Sequence, residues 1–196
     1  VRHAKLHIRA LTPLIGAEIS GVELDSEIDD ETYRALRRAL LDHLVIVLPN
    51  QRIDPSRQVA FAKMFGEIEP PHPVFDTAEE QSEITVIEHG GTKHQPYNDE
   101  WHTDVTFRAQ PAMASILHAR VLPEIGGDTL WASMYAAYDS LSEPIKILIE
   151  DMVAIHDYYR GFGDVVLERP DGLDKLLSDM KQLPPVAHPV VRTHPE

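Results

Sequence analysis

A chain of 196 residues, 43% hydrophobic and 26% charged, carries enough apolar material for one domain with its own core and too little charge bias for a disordered segment. Its formal charge of −14 argues against a partner recognised through a phosphate backbone, because nucleic-acid binders present a basic footprint. The absence of cysteine excludes a disulfide framework and thiolate metal sites, which suits a reduced, cytoplasmic setting.

The chain opens at Val1 without an initiator methionine, so a few leading residues are expected ahead of it. Residues 15–24 alternate apolar and polar side chains between glycines, which predicts a strand with one buried face. Tyr33, Leu36, Leu40 and Leu44 then recur at helical spacing behind Asp29-Asp30-Glu31, where carboxylates favour a helix N-terminus. Leu44 to Leu48 forms an apolar run that predicts a buried strand and is far too short to cross a bilayer. Asp54-Pro55 reads as the cap and first turn of a second helix, with Val59, Ala62 and Phe65 inward and Gly66 as its stop.

Pro70-Pro71-His72-Pro73 and Gly90-Gly91 predict loops, with a strand at 84–87 between them. Further strands are expected at 101–107, 114–122 and 128–131, then a helix from Ser142 to about Asp151. Another helix at 171–181 and a strand beginning at His188 follow. No repeat or linker divides the chain, and strands outnumber complete βαβ units. The pattern predicts a single domain over 1–196, mainly β with flanking helices, built as an antiparallel barrel or jelly roll.

Chemistry enters at Asn98-Asp99-Glu100-Trp101-His102-Thr103-Asp104-Val105-Thr106-Phe107. On an extended strand residues i and i+2 face the same side, so His102 and Asp104 can meet one ion. One imidazole and one carboxylate suggest two positions of the facial triad that holds non-haem Fe(II). The triplet alone is weak: a second, His194-Pro195-Glu196, also occurs among 11 His and 32 acidic residues. Pro195 would interrupt a ladder, whereas Val105-Thr106-Phe107 continues a β-prone run, so His102/Asp104 is the credible pair.

Five motifs in order carry a family resemblance: Ile15-Gly16-Ala17-Glu18-Ile19-Ser20-Gly21, His72-Pro73-Val74, the segment 98–107, Gly126-Gly127-Asp128-Thr129-Leu130-Trp131, and His188-Pro189-Val190-Val191-Arg192-Thr193-His194-Pro195. The chain resembles the taurine/2-oxoglutarate dioxygenase family, Fe(II)-dependent enzymes on a cupin-like double-stranded β-helix. The resemblance implies His102 and Asp104 as iron ligands and Thr129 as a hydrogen-bond donor to 2-oxoglutarate, with dioxygen as the third reactant. No side chain beyond the metal ligands need be catalytic.

It further implies a substrate pocket lined by His72, Phe75, Asn98, Val105 and Phe162, with His72 and Asn98 offering donors to an anionic sulfonate head. Phe75 departs from the pattern, since taurine dioxygenases carry a tyrosine there. The implied reaction hydroxylates the carbon next to the sulfonate of taurine or a related alkylsulfonate and releases sulfite and an aldehyde with succinate and CO2. An alkyl sulfate or aryloxy acid as substrate, a zinc hydrolase on the same ligands, and a non-catalytic jelly-roll binding protein stand as alternatives. The family's second histidine ligand and its arginine clamps lie beyond Glu196, so the chain is expected to lack a C-terminal segment. His188 and His194 match a strand motif without a ligand role. His43, His89, His94, His118 and His156 are expected to be solvated or hydrogen-bonded side chains. Partners are expected to be small anionic molecules, neither nucleic acid nor membrane, with a homodimer or homotetramer as in relatives.

Overall fold

A computed structural model describes residues 6–88 and 100–196. In chain order its elements are β1 (His7–Ala10), β2 (Ala17–Ser20), α1 (Asp30–His43), β3 (Ile46–Val47), α2 (Pro55–Lys63), β4 (Thr77–Ala78), β5 (Gln81–Thr85), α3 (Met134–Asp139), α4 (Glu143–Ile149), β6 (Val153–His156), α5 (Tyr158–Leu167), α6 (Gly172–Gln182) and β7 (Val186–Pro189). The described residues gather into two compact units. One holds those up to 66 with 116–147 and 194–196; the other holds those of 67–115 and 148–193.

In the first unit β2 pairs antiparallel with β1 and parallel with β3. Its glycine brackets take positive φ, 91° at Gly16 and 89° at Gly21, as residues without a Cβ do readily. Asp29 caps α1 by accepting from the Thr32 amide at 2.8 Å, satisfying one of the orphan donors of a helix start. The core joins Ile19, Val22 and Leu24 to Leu36, Ala39, Ile53 and Phe61. Gln51 ties the following loop to it, donating to the Val22 carbonyl at 3.0 Å and accepting from the Leu24 amide at 2.8 Å. The strand expected over 44–48 shrinks to Ile46–Val47, because Leu44 turns the chain out of α1 at a φ of 66°.

In the second unit the core is Val74, Phe107, Tyr158, Val166 and Leu176. Asp157 caps α5, accepting from the Tyr159 amide at 2.9 Å. Tyr158, Phe162 and Val166 recur every fourth residue of that helix and face one side. The Tyr158 hydroxyl donates to Asp179 of α6 at 2.9 Å, and Lys175 reaches the same carboxylate at 3.0 Å. β6 and β7 form an antiparallel pair with Ala154 opposite His188 and His156 opposite Val186.

The three strands expected at 101–107, 114–122 and 128–131 are not strands. Residues 104–107 form a turn and the other two segments are irregular. Alternation and β-propensity describe a side chain's fit to a sheet, but a strand exists only where a neighbour completes its backbone ladder. Among the described residues no neighbour pairs with these segments. The expected mainly β jelly roll therefore appears as three short sheets of three, two and two strands. They close no barrel, and helices hold more of the described residues than strands do. No helix among the described residues is long and apolar enough to cross a membrane.

Candidate functional site

His102 and Asp104 meet, by a route the strand pattern did not foresee. The chain turns tightly after Asp104, with the Arg108 amide donating to the Val105 carbonyl at 3.0 Å and Val105 at a φ of 48°. That conformation costs a β-branched residue about 1–3 kcal/mol and persists only where the surroundings over-determine it. Just ahead of the turn His102 Nε2 lies 3.3 Å from Asp104 Oδ1, with the two side chains 50% and 55% exposed.

Each member of the pair is oriented from behind. His102 Nδ1 lies 2.8 Å from the Glu100 carbonyl, which can only accept, so Nδ1 carries a proton and Nε2 is the nitrogen turned toward Asp104. Asp104 Oδ2 accepts from the Ser115 hydroxyl at 2.6 Å. A nitrogen lone pair and a carboxylate oxygen at this separation repel unless a proton or a cation lies between them. One imidazole and one anionic oxygen, each held by a further hydrogen bond, are a partial donor set that fits a divalent transition metal.

Beside the turn, His72 stands among aromatic rings, with centroids 4.7 Å from Phe75, 4.8 Å from Phe162 and 5.6 Å from Phe107. Val105 packs against the same cluster. His72 Nδ1 accepts from the Val74 amide at 3.2 Å, which leaves the proton on Nε2. Burial, with the positive charge of Arg108 behind it, pushes the imidazole down to about 4. At neutral pH His72 is therefore an uncharged hydrogen-bond donor in an apolar wall. Arg108 itself pairs with Glu69.

Of the residues singled out in the sequence, His72, Phe75, Val105 and Phe162 thus come together in the unit that carries His102 and Asp104. Asn98 lies outside the described residues. Thr129 belongs to the other unit, exposed on an irregular segment after Gly126 and Gly127, whose φ angles are 79° and 74°. Among the described residues no three metal-binding side chains cluster. His188 is engaged with backbone carbonyls and His194 with the Glu196 amide, so neither joins the pair. Sequence reasoning assigned nothing to Ser115, Phe107 or Tyr158. The fourfold spacing of 158, 162 and 166 is the signal that could have found Tyr158; nothing local marks Ser115.

A family model described as taurine catabolism dioxygenase TauD, TfdA family matches residues 7–196. The chain belongs to that family. Among its relatives, an alkylsulfatase of Acinetobacter baylyi is 36% identical over 98% of this chain and 60% of its own length. An alpha-ketoglutarate-dependent sulfate ester dioxygenase of Pseudomonas putida is 36% identical over 97% of this chain and 63% of its own. The solved structure of AAD-2 in complex with Mn(II) and N-oxalylglycine superposes with a TM-score of 0.74 at 30% identity, over 97% of this chain and 66% of that one. The chain thus spans about three-fifths of the length of the two curated relatives. Over that span its fold is similar to that of the solved dioxygenase.

Proposed function

We propose that this chain is the metal- and substrate-bearing part of an Fe(II)- and 2-oxoglutarate-dependent dioxygenase, one catalytic domain that acts on alkyl sulfate esters. The observation that carries the reading is the convergence of His102 Nε2 and Asp104 Oδ1 in the same unit as a neutral donor histidine walled by phenylalanines. Family membership over 7–196 supports the reaction class, and the two relatives named for sulfate esters support the substrate.

His102 Nε2 and Asp104 Oδ1 would hold the iron, with the Glu100 carbonyl and the Ser115 hydroxyl fixing their orientation. With iron, 2-oxoglutarate and dioxygen bound, the available chemistry is hydroxylation of a C–H bond coupled to oxidative decarboxylation of the 2-oxo acid to succinate. The Thr129 hydroxyl would donate to the distal carboxylate of 2-oxoglutarate. His72 Nε2–H would donate to an oxygen of the anionic head, with Asn98 as a second donor. Phe75, Val105 and Phe162 would exclude water and receive the alkyl chain. Hydroxylation of the carbon that bears the sulfate oxygen leaves a carbon that expels sulfate, giving an aldehyde.

The wall around His72 is why an alkyl sulfate is placed ahead of taurine. Taurine brings an ammonium group, and neither Phe75 nor Phe162 has a hydrogen-bond acceptor for it. A site that leaves a charged group unpaired discriminates strongly against it. Oxygen uptake with a series of linear alkyl sulfates, alkylsulfonates, taurine and aryloxyacetates tests this, with released sulfate and sulfite assayed together. Sulfate from the alkyl esters, dependent on 2-oxoglutarate, is expected. Faster sulfite release from taurine would return the substrate to the sulfonate class, and turnover without oxygen uptake would remove the dioxygenase reading.

A further inference from the structure

The turn that begins at Asp104 is gripped from outside by two histidines that the proposed chemistry does not use. In the β6–β7 pair Ala154 faces His188 and His156 faces Val186, so the two histidines lie on the same face of the ribbon, diagonally across it. Their rings are 5.0 Å apart and nearly perpendicular. His188 Nε2 lies 2.9 Å from the Thr106 carbonyl and 3.1 Å from the Arg108 carbonyl. Both partners can only accept, so Nε2 carries the proton and donates to both. His156 Nδ1 lies 2.8 Å from the Thr106 hydroxyl. Three contacts from residues some 50 to 80 positions away in the chain therefore converge on residues 106–108.

Their placement bears on the pair because of what lies between. Val105, held at a positive φ, separates Asp104 from the gripped segment, and it relaxes if either flank is released. Upstream, Asp104 is tethered by Ser115. Downstream, the carbonyls of Thr106 and Arg108 are fixed by His188, and Phe107 between them is buried in the aromatic core. A released segment 106–108 would let Val105 return to an ordinary backbone conformation and carry residues 102–104 away from Ser115, freeing the Asp104 carboxylate from the hydroxyl that orients it.

We infer that His188, with His156 beside it, is a positioning residue that holds the turn in the conformation keeping Asp104 Oδ2 on the Ser115 hydroxyl, and so keeps Oδ1 aimed at His102 Nε2. The inference rests on the metal reading of that pair, and its test separates the two. Amide hydrogen exchange on the whole chain without metal, and Mn(II) affinity by electron paramagnetic resonance, are measured for the parent protein, His188→Ala, His188→Gln and His156→Ala. H188A is expected to speed exchange of the amides over 102–108 at least tenfold, leaving α5 and α6 protected, and to weaken Mn(II) binding about ten- to a hundredfold. H188Q returns an N–H donor at similar reach and should recover most of both; H156A should show a smaller effect of the same kind.

Unchanged exchange and unchanged Mn(II) affinity in H188A would overturn the inference. So would loss of protection throughout α5 and α6 without recovery in H188Q, which would make His188 a general packing residue. If the parent protein takes up no Mn(II) while the turn amides still respond to H188A, the metal reading falls and the positioning of the turn stands.

Discussion

At Asp104 the two carboxylate oxygens have different neighbours, Oδ1 facing His102 and Oδ2 accepting from Ser115. Removing the carboxylate removes the anionic donor itself, so Asp104→Ala should abolish Mn(II) binding and 2-oxoglutarate turnover together. Ser115→Ala removes only the tether, and because Ser115 is exposed the fold should not respond. Mn(II) affinity in that variant should fall about tenfold or more with an unchanged melting temperature; unchanged affinity would show that Ser115 does not orient the ligand. At His72 the sign follows from burial. The unfolded chain takes up the imidazole proton near 6.5, whereas the folded chain resists until about 4. Stability should therefore decline as pH falls from 6.5 to 4 and be flat in this respect above 6.5. Chemical denaturation across that window should show the slope, and His72→Gln should remove it.

At the scale of elements, the start of α6 lies close against the end of α5 at Gly172. A Cβ on Gly172 would fall 2.3 Å from the Val166 carbonyl oxygen and 2.8 Å from the Leu167 Cα. Neither atom can move without shifting the end of α5, so Gly172→Ala should cost about 1–3 kcal/mol. Asp179→Ala should cost a similar amount, about 1–3 kcal/mol, by leaving the buried Tyr158 hydroxyl without its acceptor. Urea unfolding followed by tyrosine fluorescence reads both. The elements differ in how legible they were. Caps at Asp29 and Asp54 announced α1 and α2 because capping is a contact within three residues. The α5 helix escaped notice because Gly161, Gly163 and two adjacent tyrosines are poor helix formers, and packing of Tyr158 and Val166 into the core overrides that preference. β1 and β6 escaped it as well: both are four-residue strands made by their partners.

For the whole molecule, the −14 net charge and the exposed acidic and imidazole donors favour divalent cations, while the aromatic core around Phe107 and Tyr158 is built without them. Metal removal by a chelator should therefore leave the secondary structure intact. Mn(II) at a hundred times its dissociation constant should stabilise the folded chain by about 2.7 kcal/mol, as for any ligand of the native state alone. A thermal shift absent in Asp104→Ala but present in the parent would tie that stabilisation to this pair. Sequence by itself determined what lies within a few residues: the helix starts, the turns, and a histidine and an aspartate so near in the chain that either a strand or a turn can join them. Only the tertiary structure decided that no strand carries them, because a strand needs a backbone partner from distant chain, and distant chain reaches residues 106–108 through the side chains of His156 and His188. The same holds for His72, whose loss of charge comes from Phe75, Phe107 and Phe162 folding around it. Burial of that kind is a property of neighbours in space, and the order of residues along the chain does not contain it.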